Sequence, residues 1–212
     1  SEEAKMIGSI LVFGDSIGQG FYDEINGGWV RLLQRDFFND TFAGTSDVNI
    51  INLSVSGHTS QEVRARIDSE TRARINDESL LTIIAIGVND SYEKNGVRRT
   101  SPDDFRTNVQ AIITSAKTCG KVLVLGCSAC VESRVQPTSW DSTLHYSNTL
   151  LKQYETILGE CAADANVEFA PLWDSTNEAQ QKNESMPDGI HPNPNGHKVI
   201  YNEVKRKLDE ML

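Results

Sequence analysis

Apolar residues along this chain gather in short unbroken runs and do not alternate with polar ones. Five runs stand out: Ser9 to Phe13 (SILVF), Val48 to Leu53 (VNIINL), Leu80 to Ile86 (LLTIIAI), Lys121 to Leu125 (KVLVL) and Asn166 to Ala170 (NVEFA). Their length and their Ile and Val content predict strands covered on both faces, as in a parallel sheet. Between the runs the apolar spacing changes to the helical period. Trp29 to Phe38 places Val30, Leu33 and Phe37 on one face. Thr59, followed three residues later by Glu62, predicts a capping box that opens the next helix. Pro102 falls in the first turn of a segment with Phe105, Val109, Ile112 and Ile113 down one side. A long helix is expected from about Leu144 to Ala163, through Tyr146, Leu150, Tyr154 and Ile157. The last is expected from about Asn195 to Leu212, with Val199, Ile200, Val204 and Leu208 at helical spacing.

Strands alternating with helices imply right-handed crossovers and a doubly wound α/β sheet. The 212 residues suffice for one sizeable core, and no repeat, low-complexity stretch or linker divides them, so residues 1–212 read as one domain. In an open parallel sheet the functional cleft lies beyond the carboxyl ends of the strands. The first run is followed by Gly14-Asp15-Ser16-Ile17, the second by Ser54-Val55-Ser56-Gly57-His58, and the third by Gly87-Val88-Asn89-Asp90. Asp188-Gly189-Ile190-His191-Pro192 stands before the last helix. Small, polar and chemically able residues are thus delivered to one edge of the sheet.

A serine hydroxyl is a poor nucleophile until a neighbouring base takes its proton. Ser16 follows a strand and a glycine, so the chain can turn sharply and present both its hydroxyl and its N–H. His191 supplies the base. Asp188, three residues earlier, can reach the Nδ1–H of His191, fix the tautomer and leave Nε2 facing the serine. Gly57 offers an unobstructed backbone N–H and Asn89 a side-chain amide that donates at every physiological pH. With the N–H of Ser16 these make three donors for an oxyanion hole.

These four blocks, in this order, resemble those of the SGNH, or GDSL-type, hydrolases, whose four name-giving positions would here be Ser16, Gly57, Asn89 and His191. The likeness runs from the first strand to the last helix. Each block alone is weak; four in order are specific. The resemblance implies a three-layer αβα sandwich of flavodoxin-like type with a five-stranded parallel sheet of order 2-1-3-4-5. It also implies an acyl-enzyme mechanism with no metal or cofactor. The family includes lysophospholipases, acyl thioesterases, arylesterases and carbohydrate O-acetyl esterases. Ile17 stands where the motif has leucine, a volume-conserving change without expected consequence.

Composition narrows the partners. Thirty acidic against twenty basic residues leave a formal charge of −10. That charge opposes binding to nucleic acid and to anionic lipid, and the expected partner is a small-molecule ester. No run approaches the roughly 18 to 20 apolar residues of a membrane helix. Ser1 to Met6 carries no signal-peptide pattern, so the expected compartment is the cytoplasm by default, with Met6 read as the natural start; a signal peptide already removed would leave the same sequence. Oligomeric state has no signature.

The rival chemistries have less support. Asp188 and His191 could be metal ligands, but no H-E-x-x-H or second histidine pair accompanies them. Gly14 to Gly20 lacks the Gly-Lys-Ser/Thr end of a phosphate loop, and Asp23 replaces the third glycine of G-x-G-x-x-G. Cys127 and Cys130 form a C-x-x-C with no second ligand pair, and read as buried thiols, with a disulfide between them left open. Asp15 reads as structural, accepting backbone N–H groups. His58 reads either as lining the substrate pocket or as a loop histidine touching solvent. His145 and His197 fall in expected helices and read as surface or capping residues. Loops at Phe21 to Gly28, Tyr92 to Arg99 and Val131 to Trp140 are expected around the cleft. Their polar and aromatic content favours short or polar esters. A carbohydrate O-acetyl esterase, an acyl thioesterase or lysophospholipase, and a non-catalytic flavodoxin-like binding module are the alternatives.

Overall fold

The computed structural model describes residues 7–42, 47–76 and 79–212. The expected start at Met6 lies outside them. From β1 (Ile7–Gly14) the chain runs through α1 (Ser16–Gln19) and α2 (Trp29–Phe42) to β2 (Asn49–Asn52), α3 (Ser60–Arg72) and β3 (Ser79–Ala85). Next come α4 (Val88–Ser91), β4 (Glu93–Lys94), β5 (Val97–Arg98), α5 (Pro102–Lys117) and β6 (Gly120–Leu125). The order closes with α6 (Glu132–Val135), β7 (Leu144–His145), α7 (Asn148–Asp164), β8 (Glu168–Ala170), α8 (Trp173–Lys182) and α9 (Pro194–Met211).

The main sheet has the order β2-β1-β3-β6-β8, every pair parallel. Counted by its own strands this is 2-1-3-4-5, as expected. Helices α3, α5 and α7 pack in a row on one side, and α2 and α9 pack together on the other. β1 and β3 are buried almost end to end, as unbroken apolar runs require. The edge strands β2 and β8 are only partly covered, and each is shorter than its apolar run. Asn166, inside the expected last strand, has φ 55° and lies in the left-handed region, so strand geometry begins only at Glu168.

The expected starts of α3 and α5 are met, each with a local cap. Thr59 and Glu62 form the reciprocal box at α3, Glu62 accepting the Thr59 N–H at 2.9 Å. Ser101 caps α5, with Pro102 in the first turn. The helix expected from Leu144 begins instead at Asn148. Leu144 and His145 pair with Lys94 and Glu93 in a small antiparallel sheet, and the Ser147 side chain caps the helix by accepting from Leu150 N–H. α8 has no counterpart in the sequence reading. No helix among the described residues is long and apolar enough to cross a membrane.

Candidate active site

Ser16 opens α1 at the carboxyl end of β1. Asp15 caps that helix, its carboxylate accepting Ile17 N–H at 2.9 Å. Burial pushes the Asp15 carboxyl up to about 6, against the lowering effect of the Ile17 and Gly18 N–H groups. Ser16 itself is 7% exposed. Its Oγ lies 3.0 Å from Nε2 of His191. Nδ1 of His191 lies 2.5 Å from Oδ2 of Asp188, whose other oxygen accepts the N–H groups of Ile190 (3.0 Å) and His191 (2.8 Å). Burial raises the Asp188 carboxyl, but these three hydrogen bonds outweigh it and hold the group below its ordinary value. An ionised Asp188 accepts from Nδ1, so the Nδ1–H tautomer is favoured and Nε2 is left to face the serine.

The loop carrying these two residues is pinned from α6. Val131 N–H donates to Gly189 O at 2.8 Å, and Arg134 reaches the carbonyls of Met186 and Pro187 and pairs with Glu184. Gly189 has φ 96°, and a Cβ there would press within 3 Å of Val135 and Arg134 side chains, so glycine is required twice over.

Gly57 follows β2 with φ 81°, and a Cβ built on it would meet nothing within 4 Å. Its loop is tied to the Ser16 helix: Ser56 N–H donates to Gln19 Oε1 and Val55 N–H to Gly14 O. Asn89 sits on α4, after β3. Its Nδ2 donates to His58 O at 3.1 Å and its Oδ1 accepts from the Tyr146 hydroxyl at 3.1 Å. The neighbouring Asp90, fully buried, accepts Ser60 Oγ–H at 2.6 Å and Ser60 N–H at 3.0 Å, joining the Gly57 loop to the Asn89 helix. Burial raises the Asp90 carboxyl against those Ser60 bonds.

The structure therefore brings Ser16, His191 and Asp188 into one hydrogen-bonded chain, with Gly57 and Asn89 on loops fastened beside it. His58 lies in the loop before α3 and is partly exposed, as the solvent-touching reading has it. Its ring is half-buried and accepts from Arg66 Nε at 3.2 Å, while its carbonyl orients Asn89. Burial, followed by the Arg66 charge, lowers its pKa. His197 is a correction. It is fully buried, accepting Trp29 N–H on Nδ1 (3.2 Å) and donating Nε2–H to Phe21 O (2.8 Å), and burial depresses its pKa. It is a core strut between α9, α2 and the Phe21 loop: the surface reading is overturned, while the capping reading fits, because it accepts the first N–H of α2. His145 is exposed, on β7 and not on a helix. All four cysteines are free, Cys127 and Cys130 included. Among the described residues no group of three or more His, Cys, Asp or Glu is placed to hold a metal.

The sequence reading missed Tyr146 as a site residue. It is buried against Tyr92, with ring centroids 5.5 Å apart and edge to face. Two of the expected cleft loops reach His191 through aromatic rings, Tyr22 at 5.0 Å and Trp140 at 6.0 Å between centroids. The third, beginning at Tyr92, reaches Asn89 through Tyr146.

Fold and site together define an αβα hydrolase with a serine, a histidine and a carboxylate aligned at the carboxyl edge of its sheet. Residues 12–199 match the GDSL-like lipase/acylhydrolase family, and the chain belongs to it, an ester-hydrolysing enzyme. It is similar to "Esterase TesA" of Pseudomonas aeruginosa, 26% identical over 186 residues that cover 87% of this chain and 79% of the relative. It is equally similar to "Arylesterase" of Vibrio mimicus, 26% identical over 203 residues, 96% of this chain and 89% of the other. The solved lipase/acylhydrolase from Enterococcus faecalis superimposes with a TM-score of 0.76 at 22% identity, covering 98% of this chain and 97% of that one.

Proposed function

We propose that the chain works as a single hydrolase domain that cleaves carboxylic esters of small or short-chain acyl groups through an acyl-enzyme on Ser16. The observation that carries this reading is the continuous chain from Ser16 Oγ through His191 to the Asp188 carboxylate. Ser16 attacks the ester carbonyl as His191 takes its proton. The N–H groups of Ser16 and Gly57 and the free Nδ2–H of Asn89 receive the oxyanion. His191 returns the proton to the departing alcohol, then draws one from water to free the acid. No step needs a metal, and Asp15 holds the serine turn without entering the chemistry. The short acyl preference is supported by the polar and aromatic loops at the site and by the Tyr146–Tyr92 ring pair packed beside Asn89.

The test is hydrolysis of p-nitrophenyl esters from acetyl to palmitoyl, by the wild type and by Ser16→Ala, with a chelator present. Rates are expected to survive the chelator, peak at the short acyl end, and fall in the variant by about 10⁴ or more. A fully active Ser16→Ala, or activity abolished by the chelator, would overturn the mechanism. A maximum at palmitoyl would overturn the acyl preference alone.

A further inference from the structure

On the acyl-enzyme reading, His191 must hand its Nε2 proton to the oxygen of the departing alcohol. The alcohol half of the ester therefore leaves beside Nε2, where exposed side chains packed against the imidazole can touch it. Three aromatic rings surround it: Tyr22 at 5.0 Å, Trp140 at 6.0 Å and Phe21 at 6.1 Å between centroids. Two are open to solvent, Tyr22 at 56% and Trp140 at 51%. A single exposed aromatic needs no explanation. Two of them packed against the same imidazole leave exposed apolar area beside the group that protonates the alcohol.

Both rings are carried on braced loops. Tyr22 N–H donates to Pro192 O at 2.7 Å, Phe21 O is held by His197, and Asp23 accepts the N–H groups of Ile25, Asn26 and Gly28. Around Trp140, Thr138 Oγ1 accepts Asp141 N–H, and Asp141 pairs with Lys94 at 3.0 Å and accepts from Thr143. Little ordering cost remains for a ligand to meet. The charges match a neutral ligand. Residues 21–28 and 138–143 contain no Lys or Arg to pair an anionic alcohol. Of their three acids, Asp23 is buried on backbone N–H groups and Asp141 is taken by Lys94, so the exposed Glu24 is the one placed to draw a cation, which the acetylcholine arm below tests.

We infer that Tyr22 and Trp140 form a subsite for the alcohol half of the ester, and that it takes a neutral ring-bearing alcohol, sugar or arene, by its apolar face. The inference rests on the mechanism proposed above. In acylation the Ser16 Oγ–carbonyl bond forms, the bond to the alcohol oxygen breaks, and that oxygen takes the proton His191 removed from Ser16. The ring leaves as the free alcohol. In reverse the subsite presents an acceptor: its O–H proton passes to His191 as its oxygen attacks the acyl carbon, and Ser16 Oγ leaves and recovers the proton.

The test uses acetate esters that share one acyl group: ethyl acetate, phenyl acetate, an O-acetylated methyl pyranoside and acetylcholine. For wild type, Tyr22→Ala and Trp140→Ala, each kcat/KM is divided by that enzyme's value for ethyl acetate, which cancels any injury to Ser16 or His191. The ratio for a ring substrate is expected to fall about 5- to 10-fold in each variant, the scale of one lost aromatic contact. Which ring substrate falls more tells arene from sugar. As a second readout, the wild-type acetyl-enzyme should pass acetyl to methyl pyranoside or benzyl alcohol in preference to ethanol, and the variants should lose that preference. Unchanged ratios, or a fall confined to acetylcholine, would overturn the subsite. Labelling of Ser16 by a fluorophosphonate separates the two readings. A labelled serine with unchanged ratios sinks the subsite alone, and an unreactive Ser16 sinks the mechanism and the subsite with it.

Discussion

A primary amide can be turned over to exchange its donor and acceptor, and on the proposed mechanism the choice at Asn89 decides whether a developing oxyanion would meet N–H or oxygen. The His58 carbonyl can only accept, so it fixes Nδ2 on its own side, and the Tyr146 hydroxyl donates to Oδ1 and agrees with it. One Nδ2–H is occupied by His58 and the other remains for substrate. Tyr146→Phe deletes a single oxygen while keeping the ring against Tyr92. It is expected to lower kcat about tenfold, within what one oxyanion donor contributes, and to leave KM nearly unchanged, at a stability cost of about 1 kcal/mol. Because Tyr146 acts through Asn89, the effect should vanish when the change is made on top of Asn89→Ala. Steady-state kinetics of the four proteins check this, and an equal fall in both backgrounds would rule out positioning. Tyr146 was unreadable as a site residue because its spacing to Leu150 and Tyr154 is helical, yet it lies just before the Ser147 cap. Ser16, Asp188 and His191 were readable because short motifs at strand and helix ends carried them.

At the scale of elements, helices with locally written caps were legible and α8 was not. Leu172 stands at the N-terminus of α8 and makes no side-chain cap. The cap comes from α7: Glu155 Oε1 accepts Leu172 N–H at 2.7 Å and Trp173 N–H at 2.9 Å. The same oxygen lies where a Cβ on Gly126 would go, which accounts for the glycine after β6. Burial raises the Glu155 carboxyl, against the backbone N–H groups that stabilise its charge. Glu155→Ala leaves those N–H groups without their acceptor and is expected to cost about 1 to 3 kcal/mol. Glu155→Gln keeps an acceptor oxygen and should cost less. Urea unfolding of the two variants tests this, and equal losses would show that the contact is packing and not a cap. A cap supplied 17 residues away leaves no pattern at the helix it serves.

Over the whole molecule, two buried groups near the site set opposing pH dependences. Asp15 keeps its proton in the fold up to about 6, whereas in the unfolded chain it loses it near 3.9. Between those values the native state binds more protons, so the Asp15 contribution to stability falls as pH rises through the window. His197, whose pKa is lowered by burial, acts the other way: its contribution is lost as pH falls below about 6.5. Asp15→Asn keeps an acceptor oxygen for Ile17 and removes the titration. The stability of the variant relative to wild type is therefore expected to be greater at pH 7 than at pH 4.5, read from urea midpoints. A difference that does not change with pH would mean that Asp15 is ionised throughout.

The sequence by itself determined the sheet and singled out the candidate site residues. Apolar runs report strand burial, local caps report helix starts, and Ser16, Gly57, Asn89 and the Asp188–His191 pair are each marked by neighbours a few residues away. Tertiary structure alone decided what surrounds them. Tyr146 on Asn89, Glu155 under α8, His197 beneath Phe21, and the rings of Tyr22 and Trp140 around His191 join residues from 17 to 176 positions apart. A contact between separate elements depends on how they pack and leaves no period or motif in either one, so it becomes visible only once the chain is folded.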